Sequence, residues 1–499
     1  MDLYYKSTRG MKEKVTASMA ILQGLAEDGG LFVPERIPEL AIPLEEFSAM
    51  DYKETAYEVM RLFFTDFTEE ELKQCIFNAY DSKFDTEEIV PLVKAENDYY
   101  MELFHGATIA FKDLALSILP HLLTTAARKH QIENEIVILT ATSGDTGKAA
   151  LNGFSDVKGT RIIVFYPKDG VSEVQKLQMI TQKGENTSVI AIHGNFDQAQ
   201  TGVKRIFEDQ EFAKELRRDG FQFSSANSIN IGRLVPQIVY YVYTYAKLYA
   251  CGEIEKGEKI NVTVPTGNFG NILAAYYAKK MGIPIDHLIC ASNDNKVLYD
   301  FFETGIYDKN RKFMVTTSPS MDILVSSNLE RLLYHSCGEN TEKVKKCMEK
   351  LKKQGVYSVT DEMRKSMDSF HAEFTTEKEA AWQIRQIYEQ NGYVIDPHTA
   401  VASFAAKKYK EKTKDRKKMV IVSTASPYKF TGAVLTAIDK NFERKNEISL
   451  ADQLNRFSGV TVPNAIREIE SAKILHKKEC EVKDMKKMVG QILNIGQNI

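Results

Sequence analysis

The chain has 499 residues, 43% hydrophobic and 27% charged, with a formal net charge of −3. That composition belongs to a globular protein long enough for roughly two to four domains and a sizeable core; its charge gives no pull towards nucleic acid or an anionic membrane, and no apolar run is long enough to span a bilayer. The six cysteines form no CxxC pair and the nine histidines no HxH or HxxxH spacing, which sets aside a disulfide framework and a zinc-hydrolase site.

The first residues, Met1-Asp2-Leu3-Tyr4-Tyr5-Lys6, hold no signal-peptide apolar core, so a cytoplasmic setting with free thiols is expected. Up to residue 98 the chain is rich in acids and aromatics. Helical patterning over 52–64 and 69–80 makes residues 1–98 an N-terminal, mainly helical domain. Next comes His105-Gly106-Ala107-Thr108-Ile109-Ala110-Phe111-Lys112-Asp113, a lysine placed just after a turn and before the apolar run Leu114, Ala115, Leu116, Ile118 and Leu119. An apolar setting favours the neutral amine. A neutral amine is what a Schiff base with an aldehyde requires, and pyridoxal phosphate (PLP) is the commonest such aldehyde.

Beyond it the pattern alternates. Strand-like runs cover 136–140, 161–166, 188–192, 260–264, 288–291 and 419–423, each short, apolar and rich in β-branched residues. Helical stretches lie between them, such as 271–281, which stops at Gly282 and Pro284. The alternation predicts an α/β protein with parallel sheets, divided into a smaller lobe over 99–225 and a larger lobe over 226–499 that ends in charged helices.

Three strands run into loops with chemical content. Thr142-Ser143-Gly144-Asp145-Thr146-Gly147-Lys148 resembles a P-loop at first sight. Only two residues separate Gly144 from Gly147, and Ala149 follows Lys148 where Ser or Thr is needed, so a nucleotide-binding reading fails. Pro265-Thr266-Gly267-Asn268-Phe269-Gly270-Asn271 stands between a strand and a helix. Its glycines and small polar residues suit a phosphate cradle of backbone N–H groups. Ser423-Thr424-Ala425-Ser426-Pro427 places hydroxyls at a strand's C-terminal end, where open α/β sheets bind ligands.

The segment 104–113 resembles the PLP-lysine segment of the threonine synthase family. The resemblance continues through Ser7-Thr8-Arg9-Gly10, Gly29–Pro34, Ser143–Gly147, Gly194–Asp197, Ser228-Ile229-Asn230 with Arg233, Gly267–Asn271, Ser318–Ile323, Asp396–Val401 and Ser423-Thr424-Ala425. It implies a fold type II PLP enzyme, similar to the tryptophan synthase β architecture, with two parallel-sheet lobes and an N-terminal helical domain. It implies that Lys112 is the catalytic lysine bound to PLP, that Gly267, Asn268, Phe269, Gly270 and Asn271 hold its phosphate, and that Thr424 faces the pyridine nitrogen. Ser143, Gly144, Asp145, Thr146, Lys148, Asn230 and Arg233 are the implied substrate residues, Arg and Lys being suited to phosphate oxygens. The chain departs from the family at Ser426, where several members have His, and at Ala107, where Pro is common.

The implied reaction turns O-phospho-L-homoserine and water into L-threonine and phosphate, the last step of threonine biosynthesis. The alternatives are a phospho-lyase acting on the same substrate and a serine/threonine dehydratase. The expected partner is that small substrate alone, bound by a monomer or homodimer.

Overall fold

The computed structural model describes residues 2–496, apart from 143, 170, 172, 440, 441 and 443–446. Its frame is a pair of sheets. The larger runs in the order Phe370–Phe374, Ile285–Ser292, Ile260–Pro265, Met419–Ser423, Asp98–Glu102, Leu92–Ala95. Its neighbours are parallel except for the last two, which form a hairpin. The smaller sheet is parallel throughout, in the order Lys478–Glu481, Thr187–His193, Thr160–Pro167, Glu135–Ala141, Phe221–Ser224. The C-terminal tail therefore crosses back to complete the sheet built by residues 135–224.

Each strand-like run in the sequence lies within one of these strands. Ile260–Pro265 and Met419–Ser423 are buried at every position, which is why they read as unbroken apolar stretches. Strand Asp98–Glu102 is equally buried and carries Asp, Glu and two tyrosines. Tertiary partners satisfy its polar groups: Lys410 pairs with Asp98, Tyr100 Oη bonds Ser403 Oγ at 2.9 Å, and Tyr393 donates to Glu102 at 2.7 Å.

The N-terminal region is mainly helical. Capping boxes start Tyr52–Phe63 (Asp51 with Glu54) and Glu69–Ala79 (Thr68 with Glu71). The apolar face of the first packs on Ile231–Ala250, a 20-residue helix that is buried on nearly all sides. Tyr52 meets Tyr80 and Tyr243 edge-on, at ring distances of 5.1 and 5.3 Å. No helix among the described residues is long and apolar enough to cross a membrane.

Three strand ends converge. The loop after Ile260–Pro265, the loop after Glu135–Ala141 and residues 424–426 all leave C-terminal strand ends, and the segment bearing Lys112 docks onto the third. Phe111 N donates to Thr424 O (2.8 Å), Ser426 N to Ile109 O (3.0 Å) and Leu103 N to Ser423 O (2.9 Å).

Candidate active site

Lys112 opens the helix Lys112–Leu116. Its side chain is 13% exposed, with Nζ 4.0 Å from Asp145 Oδ2 and donating to Ser320 Oγ at 3.4 Å. Burial pushes its pKa down to about 8. Asp145 opposes the change, while the cations Lys429 and Arg233 add to it. A substantial fraction of this amine is thus neutral close to physiological pH, as a nucleophile or base requires.

Asp145 sits between two lysines. Its Oδ1 accepts from Gln175 Nε2 at 2.9 Å and lies 3.2 Å from Lys429 Nζ. Burial pushes this carboxyl up, but Lys429, Lys112 and Gln175 outweigh it and hold it well below the usual carboxylate range. Lys429, its side chain 1% exposed, also donates to Thr108 O at 2.8 Å. Asp113 closes the same loop from inside, accepting from Thr108 N (2.8 Å) and Oγ1 (2.6 Å). Ser426 caps the turn Pro427–Phe430 that carries Lys429, accepting from Tyr428 N. Lys429 and Gln175 carry no local motif that marks them. The only sequence hint for Lys429 is a lysine between two aromatics just past a strand end.

The loop after Ile260–Pro265 forms the opposite wall. Phe269 is left-handed (φ 65°), and its ring stacks into the core on Phe302 and Phe370. Helix Gly270–Lys280 follows at once, so the N–H groups of Gly270, Asn271 and Ile272 lack intrahelical partners. Asn268 O accepts from Asn328 N and Nδ2, both at 3.0 Å, which anchors the loop from behind. Gly267 has no alternative here: a Cβ would stand 2.4 Å from Ser320 O. Asn271 Oδ1 accepts from Tyr240 and Tyr241 (2.8 and 2.5 Å), while its Nδ2 is a buried donor with no partner. Thr424 is buried at the end of its strand, with its carbonyl held by Phe111.

The remaining expected residues differ in placement. Gly144 (φ 145°) packs so closely on Gln175 that a Cβ would clash at 2.4 Å. Thr146 is half-buried in the first turn of Asp145–Phe154. Lys148 turns to Gln182, donating to its Oε1 at 2.6 Å, and burial lowers its pKa to about 8. Ser143 lies outside the described residues. Arg233 is buried, with Nη1 on Ala226 O at 3.0 Å and Nε unpartnered; burial lowers its pKa to about 10. Asn230 is fully buried and its amide is committed within the fold. It accepts from Gly232 N (2.9 Å) to cap Ile231–Ala250, and donates to Ile21 O (3.0 Å) and Ser225 O (2.9 Å). Its geometry is that of a support for Arg233 rather than of a ligand to substrate, because both amide hydrogens are spent on backbone carbonyls.

A family model described as pyridoxal-phosphate dependent enzyme matches residues 90–425. Models for the threonine synthase N terminus and the threonine synthase C-terminal region match 4–80 and 399–473. Threonine synthase of Schizosaccharomyces pombe is 38% identical over 474 residues, which cover 88% of this chain and 90% of that protein.

The chain belongs to the threonine synthase family.

Threonine synthase-like 1 of Homo sapiens is 41% identical over 445 residues, 86% of this chain but 59% of that longer protein. The crystal structure of PLP-bound threonine synthase from Brucella melitensis superposes with a TM-score of 0.86 at 34% identity, covering 98% of both chains. The architecture is accordingly that of a fold type II PLP enzyme with an N-terminal helical region. The residues present fit the cofactor. A free helix N-terminus, an orphaned Asn271 amide and a loop kept open by Gly267 suit a phosphate, and a buried amine stands ready for the aldehyde.

Proposed function

We propose that this threonine synthase family member converts O-phospho-L-homoserine and water to L-threonine and phosphate. The observation that carries the reading is the buried amine of Lys112, held between the Asp145 carboxylate and the Ser320 hydroxyl. When bound, PLP supplies an electrophilic carbonyl and a ring that takes up the electrons released at substrate Cα. Lys112 would hold it covalently, Gly267, Asn268, Phe269, Gly270 and Asn271 would take its phosphate, and Thr424 would face the ring nitrogen with a neutral hydroxyl.

Lys112 Nζ, once released, takes the proton from substrate Cα and passes it on, so that the same amine, neutral again, takes a proton from Cβ as the γ-phosphate leaves. Two protons are returned, one to Cγ and one to Cα, while water adds its hydroxyl at Cβ and gives its own proton to the released phosphate. An amine titrating near 8 is neutral often enough to accept a proton and basic enough to keep it. Asp145 stays ionised throughout, because Lys429 neutralises it from the far side. Arg233, with an uncommitted Nε, and Lys148 supply positive charge for the substrate's phosphate. Gly144 and Thr146 would line the side that takes the substrate carboxylate. The free cysteines suit a reducing compartment such as the cytoplasm.

The test is product analysis with PLP-loaded protein and O-phospho-L-homoserine. Equimolar threonine and phosphate support the proposal. Phosphate with 2-oxobutyrate instead identifies a phospho-lyase, and no phosphate release overturns the substrate.

A further inference from the structure

Ser320, the hydroxyl beside Lys112, belongs to the segment Ser318–Ile323, which meets a second segment, Asp396–Val401, at that point. Ser320 lies at the centre of the short turn Pro319–Met321. Each of its polar atoms faces a different part of the site. Its Oγ accepts from Lys112 Nζ at 3.4 Å, its N donates to His398 Nε2 at 3.2 Å, and its carbonyl oxygen lies over Gly267.

The acceptor role of His398 Nε2 puts the ring proton on Nδ1, which donates to Asp396 Oδ2 at 2.6 Å. Asp396 is itself fixed. It accepts from His398 N (3.0 Å), Thr399 N (2.9 Å) and Thr399 Oγ1 as the N-cap of helix Pro397–Thr413. Asp396 is 0% and His398 2% exposed, and the imidazole packs on the Phe430 ring at 4.9 Å. The imidazole therefore has one tautomer and one orientation, and the turn it holds is tied to a 17-residue helix.

We propose that Asp396 and His398 are positioning residues that hold the Ser320 hydroxyl against the Lys112 amine. A hydroxyl both accepts and donates. It accepts from Lys112 when the amine is charged and donates to it when the amine is neutral, so one contact serves a base that must cycle between the two forms. The same turn presses on Gly267, so the lysine and the phosphate loop share a single support. This rests on Lys112 being the working amine of the proposed reaction.

The test reads Lys112 directly. The full chain, freed of cofactor, is labelled with isotopic acetic anhydride across a pH series, and the Lys112 peptide is quantified by mass spectrometry, with Lys112→Ala identifying its signal. The charged groups facing Lys112 are Asp145, Lys429 and Arg233 from packed elements and Asp113 from its own helix, and all are retained. Ser320→Ala removes the hydroxyl from both forms, and because its bond to the ammonium is stronger than its bond to the neutral amine, the pH of half-labelling falls by about one unit. Ser320→Thr restores the hydroxyl and the parent value. His398→Leu frees the turn and reproduces the Ser320→Ala shift, while His398→Gln keeps an acceptor near the Nε2 position and stays with the parent. An unchanged titration in Ser320→Ala, a shift that Ser320→Thr does not reverse, or a parental titration in His398→Leu overturns the proposal. Failure to form threonine from phosphohomoserine would leave these titrations untouched, so the two readings fail separately.

Discussion

Replacing Lys112 by Met should abolish turnover and make the cofactor-free protein more stable. The buried amine titrates near 8 instead of 10.5. At about 1.36 kcal/mol per pH unit, keeping it charged in the fold costs about 3 kcal/mol. The unfolded chain binds this proton up to about pH 10.5 and the folded chain only to about pH 8, so between these values unfolding takes up a proton and the parent gains stability as pH rises. The full cost applies below pH 8. Met removes the charge at similar volume and loses one long hydrogen bond to Ser320. Asp145 keeps Lys429 at 3.2 Å and Gln175 at 2.9 Å, so no carboxylate is stranded. The gain should be about 3 kcal/mol at pH 7 and fall below about 1 kcal/mol at pH 10. Differential scanning calorimetry of cofactor-free parent and variant at both pH values measures it, as a rise of several degrees at pH 7 that mostly vanishes at pH 10. A variant no more stable at pH 7, or equally stabilised at both, refutes the reasoning. Such a result would mean that the site does not hold this lysine at an energetic cost.

Gly267→Ala forces a Cβ to within 2.4 Å of Ser320 O; strain of about 1–3 kcal/mol should weaken PLP uptake by about tenfold or more, read as absorbance on titrating the cofactor, and normal uptake would contradict the packing. Lys429→Met removes a cation that lowers the Lys112 pKa and frees Asp145 to pair with it. The acidic limb of the kcat/KM profile should therefore move up by about one pH unit, and a shift to lower pH would reverse the assignment. Arg233→Leu loses one hydrogen bond within the fold and, on the proposed function, a charge offered to the substrate's phosphate, so KM for phosphohomoserine should rise about tenfold to hundredfold; an unchanged KM removes Arg233 from the phosphate site. Asn230→Ala loses the cap of Ile231–Ala250, costing about 1 kcal/mol of stability, and its thermal midpoint should fall while KM changes less than about threefold.

Much of the frame is readable from local pattern. Strands buried on both faces, such as Ile260–Pro265, have only apolar and β-branched residues to offer, and their C-terminal ends mark where a ligand site opens. Asp98–Glu102 escapes that reading. Its acids and tyrosines become tolerable in a sheet largely through partners distant in sequence: Lys410, Ser403 and Tyr393, some 300 residues away, and Glu253 on Tyr99. Lys429 is opaque for the same reason, because its role exists only once Asp145 faces it. Asn230 is the opposite case: a polar residue three positions before an arginine invites a binding role, while the folded chain commits its amide to the first turn of a helix and to two backbone carbonyls. The order of motifs along the chain identifies the family; which of their side chains touch one another is a property of the folded chain alone.

The return of Lys478–Glu481 to pair in parallel with Thr187–His193 sets a timetable for folding during synthesis. About 285 residues separate the two strands, and at about 5–20 residues per second the ribosome needs roughly a quarter of a minute to a minute to deliver the partner. Until then the edge of the smaller sheet presents unpaired N–H and C=O groups, a template for pairing with another chain. The nascent smaller lobe is thus an aggregation-prone intermediate by construction, and chaperone demand should concentrate on chains stalled between these two strands.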